Sequence, residues 1–166
     1  METERADLLE SLDKHRGLLR RTVRRLDDAD AVQRTTVSEL SLGGIIKHVA
    51  ATEERWAAFI EKGPDAFDPV GPETAAQLAS TFALAEGDTL VGVLERYAVV
   101  AQRTDDLVRS VPSLDASHPL PEAPWFPPGA RWSVRRVLLH LIGETAQHAG
   151  HADIIREALD GKKTMG

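Results

Sequence analysis

The stretch LLHLIGETAQHAGHADIIREALDG, residues 138–161, carries three of the six histidines in the chain and ends on a glycine. Its aliphatic residues recur at three- and four-residue spacing, the period of a helix with one buried face. Gly161 supplies the stop. At roughly 100° per residue, with His140 set to zero, Glu144 falls near 40°, His148 near 80° and His151 near 20°. These four polar residues share about a quarter of the circumference with Val137 and Ile155. Imidazoles and a carboxylate on the border of an apolar face are either hydrogen-bonded there or hold a ligand.

The helical period extends through the rest of the chain. Leu8, Leu12, Leu19 and Leu26, with His15 in the same stripe, predict a first helix over 3–26. Ser41 reads as the N-cap of a second, with Leu40 and Ile45 placed as a hydrophobic staple. Its inner stripe is Leu42, Ile45, Val49, Trp56 and Ile60, and Gly63-Pro64 ends it. GPDAFDPVGP (63–72) is a loop, and ETAAQLASTFALAEG (73–87) holds a helical turn or two. Asp88 is the expected cap of a third helix to about Ser110, with Leu90, Val93, Leu94, Tyr97, Val100, Leu107 and Val108 inward. Six of the nine prolines fall in 112–128, which excludes helix interior and marks a crossing loop. Ser133 caps the fourth helix, with Trp132 and Val137 in the staple positions. No strand is expected. The fold class is all-α: a single four-helix bundle with long second and third connections, one domain over 1–166.

With 20 Lys+Arg against 26 Asp+Glu the net charge is −6, which leaves no electrostatic footprint for nucleic acid or an anionic membrane. The local exception, RRTVRR at 20–25, reads as the solvated face of the first helix. The chain has no cysteine, so it has neither disulfides nor a thiol nucleophile of its own, and any metal must bind through nitrogen and oxygen. No apolar run is long enough to span a bilayer, and METERADLLE is too charged for a signal peptide. A cytoplasmic location is the expectation.

Glu144 and His148 lie four apart, so their side chains stack on one helix face and can share a metal. The same spacing also fits an exposed helical pair with no metal, and spacing does not choose between them. A bundle metal site needs a further ligand from a facing helix. His48, at the edge of the second helix's apolar stripe, is the candidate. Gly43 and Gly44, one turn before it, point to a close backbone approach or to room left for something. His15 and His140 read as hydrogen-bonded groups at the core edge, and His118 as a solvated loop residue.

LSLGGIIKHVAATEERW (40–56) and WSVRRVLLHLIGETAQHAGHADIIREALDG (132–161) together resemble the DinB superfamily of four-helix metalloproteins. The resemblance is to its DUF664 branch, related to the N-terminal domain of mycothiol-dependent maleylpyruvate isomerase and similar to mycothiol and bacillithiol S-transferases. Residues 63–131 contribute little to it. It implies a divalent metal held by His48, Glu144 and His148, a His/Glu/His set that departs from the two-histidine HxxxH pattern of many relatives. His151 falls where others often have glutamine; in this reading it is a fourth ligand, a hydrogen-bond partner of the ligands, or a proton acceptor. Zinc is the expected metal, with nickel or iron as alternatives, and the resemblance also implies a homodimer.

The implied activity is transfer of a low-molecular-weight thiol, mycothiol in the first instance, to a small-molecule electrophile. The isomerase's additional C-terminal domain has no counterpart here, so isomerisation is not expected. Trp125 and Phe126, in the proline-rich loop, either pin that loop to the bundle or wall the electrophile's site. A metal-binding, stress-associated protein without catalysis is the alternative reading.

Overall fold

In a computed structural model that describes residues 2–69 and 71–164, the chain is a four-helix bundle. The expected loop at 63–72 includes Val70, and the domain expected over 1–166 includes Met1, Met165 and Gly166; these four lie outside the described residues. The long helices are α1 (Glu2–Arg21), α3 (Leu42–Lys62), α5 (Leu90–Ser110) and α6 (Val134–Asp160). Shorter ones are α2 (Asp28–Ala31) and α4 (Pro72–Ser80). The main packings are α1 on α6, α3 on α5 and α3 on α6.

Three helix ends follow the sequence reading. Ser41 Oγ accepts from the Gly44 amide at 3.3 Å and Ser133 Oγ from that of Arg136 at 3.2 Å, each satisfying an N-terminal donor. Gly161 closes α6 in the left-handed region, φ 76°.

Other expectations are corrected. Thr89, not Asp88, caps α5, accepting from Gly92 N at 3.0 Å. Asp88 instead accepts from the Ala85 amide and pairs with Lys47 Nζ, each through Oδ2. The first helix stops at Arg21 rather than near residue 26. The buried Arg156 guanidinium donates to the carbonyls of Thr22 and Arg24, and Arg25 turns into the left-handed region at φ 61°. The proline-rich crossing contains an antiparallel two-stranded ribbon, β1 (Ser117–Pro119) with β2 (Arg131–Ser133), pairing His118 with Trp132. His118 is half-buried rather than solvated, and its Nε2 donates to Ile60 O at 3.2 Å.

The core divides into two apolar clusters. One gathers Leu19, Ile45, Val49, Leu90, Tyr97 and Ile155; the other Leu12, Trp56, Phe59, Val108, Val137 and Leu141. Between them each long helix contributes a buried polar residue: Arg16, Glu53, Thr104 and Thr145. Arg16, rather than His15, occupies the interior of α1. Its guanidinium is bidentate on Glu53, at 2.5 and 3.1 Å, and reaches Asp105 at 2.8 Å. Burial opposes its charge, yet these two carboxylates hold its pKa above the ordinary value.

A candidate metal centre

His48 projects from α3, and Glu144 and His148 from α6, at the level of the polar layer. Each offers one ligand atom, and all three atoms lie within 4.8 Å of one another. His48 is buried; Glu144 and His148 are half-buried. His148 Nε2 stands 3.7 Å from Glu144 Oε2, and the His48 and His148 rings meet edge-on at 5.0 Å. His148 Nδ1 is buried with no protein partner. Two imidazoles and a carboxylate brought together in this way form a nitrogen and oxygen donor set that a divalent metal or a bound polar ligand would bridge.

Environment sets the charges. Burial pulls the His48 imidazole down to about 4, and His148 beside it acts in the same direction. The His148 imidazole, ahead of the opposing effect of burial, holds the Glu144 carboxyl below the ordinary carboxylate range. The site therefore offers a neutral His48 and an ionised Glu144 at neutral pH, the states a divalent cation needs.

The trio lines a cavity of about 790 Å³ between α3 and α6. Thr52, Arg55 and Trp56 of α3 share that wall with His140 of α6. Phe67, α4 (Thr74, Ala75, Leu78) and Phe82 also line the cavity, and the proline-rich loop adds Trp125 and Phe126. Phe126 packs edge-on to Trp132 at 5.9 Å, which pins the loop to the bundle, while Trp125 lines the cavity and remains 65% exposed.

His140 lines the cavity one turn from Glu144, with its ring edge-on to Trp56 at 4.9 Å and Trp132 at 5.1 Å. Burial lowers its pKa, and the Glu144 charge opposes that. His151 is half-buried and lines no part of the cavity. It lies about one turn beyond His148 on the same helix.

Thr81 and Phe82, which sequence reasoning passed over, bear directly on the site. Thr81 Oγ1 is 2.8 Å from His48 Nδ1, and Phe82 stacks flat on the His48 ring at 3.6 Å. The signal that could have found them is the Gly43-Gly44 pair. A β-carbon on Gly44 would collide with the Phe82 carbonyl, and one on Gly43 would sit 2.8 Å from Leu84 Cδ1.

No curated protein matches the chain. A crystal structure described as a conserved protein of locus from Enterococcus faecalis shares the fold, with a TM-score of 0.66 at 16% identity over 93% of this chain and 96% of that one. Matching over residues 7–161, the chain belongs to the Mycothiol-S-transferase family, a DinB-like family.

Proposed function

We propose that the protein is a divalent-metal-dependent thiol S-transferase that joins a low-molecular-weight thiol, mycothiol, to a small electrophile. The observation that carries this reading is the convergence of His48, Glu144 and His148 within 4.8 Å in the wall of an aromatic-lined cavity. Three protein ligands leave coordination positions open, as catalytic sites do and closed structural sites do not. When bound there, the metal would lower the pKa of a coordinated thiol and hold its sulfur as an anion. The donor set accommodates zinc, nickel or iron, and zinc is the proposed occupant.

The chain's own residues supply the rest. His140, kept neutral by burial and facing the cavity, would accept the thiol proton. Thr52, Arg55 and Thr74 offer hydrogen bonds to a hydroxyl-rich thiol. Trp56, Phe67, Trp125 and Phe126 exclude water and receive an apolar electrophile. Sulfur–carbon bond formation then proceeds with departure of a leaving group or with addition to a polarised double bond.

No helix among the described residues is long and apolar enough to cross a membrane. Action in the cytoplasm, and a homodimer, belong to the same proposal.

The test is conjugation of mycothiol to a chromogenic electrophile by metal-loaded protein. The expected result is a rate abolished by chelation, restored by one divalent metal and absent from His148→Ala. A chelated protein that conjugates at the full rate overturns the reading. Metal bound without any thiol transfer, to a range of electrophiles, would leave the non-catalytic metal-binding protein standing.

A further inference from the structure

His48 has two ring nitrogens, and its surroundings treat them differently. Thr81 has a single hydroxyl hydrogen. Its oxygen lies 2.6 Å from the Leu78 carbonyl, which can only accept, so the hydrogen is committed there. The same oxygen is 2.8 Å from His48 Nδ1 and must receive that bond as an acceptor. Nδ1 therefore carries the imidazole proton, and Nε2 carries the lone pair. Among the described residues the hydrogen-bond partner of Nε2 is the Thr52 hydroxyl, at a long 3.4 Å, a contact readily exchanged for a stronger one.

The ring is also held in plane. Phe82 lies on it at 3.6 Å with 15° between planes. Thr81 and Phe82 are consecutive residues on a segment outside the four long helices, and three contacts seat that segment on α3. Gly44 makes room for the Phe82 carbonyl, Gly43 for Leu84, and Lys47 Nζ donates to Ala83 O at 3.1 Å.

We propose that Thr81 is a positioning residue for the metal centre: it fixes His48 as the Nδ1–H tautomer and so makes Nε2 the ligand atom. This inference rests on the metal-centre reading of His48. A ligating imidazole whose other nitrogen is hydrogen-bonded is held in orientation and gains basicity, and removing such a partner weakens metal binding about 10–100-fold. Because Thr81 does no chemistry on substrate, its effect is read at the metal and at the ring rather than in turnover.

The experiment combines two readouts. Nitrogen-15 spectra of chelator-treated, histidine-labelled protein report which His48 nitrogen is protonated. Competition with a chromogenic chelator for zinc reports affinity. Wild type should show a protonated Nδ1 and a bare Nε2. Thr81→Val, which keeps the shape and removes the acceptor, should lose that signature and bind zinc about 10–100-fold more weakly. Thr81→Ser should restore both.

Zinc affinity unchanged in Thr81→Val overturns the proposal, as does a wild-type spectrum with the proton on Nε2. The spectrum decides even if the valine variant fails to fold. Wild-type protein that takes up no zinc, nickel or iron overturns the metal centre itself and this role with it, an outcome distinguishable from a metal-binding protein indifferent to Thr81.

Discussion

His48 links the chemistry of the site to the stability of the molecule. Its imidazole is held near 4 in the folded protein, whereas in the unfolded chain it titrates near its ordinary value of 6.5. Between these values the unfolded state binds the extra proton, so stability rises with pH across that window. The metal-stripped protein should therefore be most stable above about pH 6.5 and lose stability as the pH falls toward 4, with His140 contributing in the same direction. Thermal unfolding of chelator-treated protein at a series of pH values checks this; a midpoint flat from pH 7 to 4.5 would contradict it. A second residue-level prediction concerns the polar layer. Glu53→Ala strands the Arg16 guanidinium with Asp105 alone, and should lower stability by about 3–5 kcal/mol, as breaking a buried ion pair does. Denaturant titration measures it, and a loss below ~1 kcal/mol would show that the pair is dispensable.

Among the elements, α3 and the 81–84 segment act together. Gly44→Ala should push that segment away and cost about 1–3 kcal/mol, the usual range for overpacking. Because the segment carries Thr81 and Phe82, the same substitution should weaken metal binding, which chelator competition would read; unaltered affinity would mean that the segment does not hold His48. The two glycines were legible as a close approach or a vacant space, but their partner was not, because Phe82 lies 38 residues away with no periodic signal joining them. Ser41, Ser133 and Gly161 were legible as caps because each acts on backbone within four residues of itself. The end of α1 was not legible, since the group that holds the carbonyls just past it is Arg156, 134 residues on from Thr22. Asp88 and Thr89 are both competent caps, and only the pull of Lys47 and Ala85 on Asp88 decides between them. Arg16 was likewise hidden, because a charged residue in a core position is read as surface until its partners on other helices are known. His48, Glu144 and His148 were nameable from spacing and resemblance, whereas their convergence depends on how α3 and α6 pack.

Taken whole, the molecule is two apolar cores joined by a polar layer, with an aromatic-lined cavity formed by α3, α6, α4 and the proline-rich loop. Trp125, mostly exposed at the mouth, contributes little to folding. Trp125→Ala should leave stability within about 0.5 kcal/mol of wild type, as surface substitutions do, while raising KM for an apolar electrophile more than it lowers kcat. Steady-state kinetics would show this, and unaltered KM across apolar electrophiles would place their binding elsewhere. Thiol activation, the role of Thr81 and the use of the cavity all depend on whether the His/Glu/His trio holds a metal. The decisive measurement is elemental analysis of the purified, untagged protein beside His148→Ala. About one equivalent of a divalent transition metal per chain, lost in the folded variant, is the predicted result. Wild-type protein that stays metal-free after incubation with zinc, nickel and iron would contradict it, and would leave His48, Glu144 and His148 as hydrogen-bonding groups at the edge of a cavity.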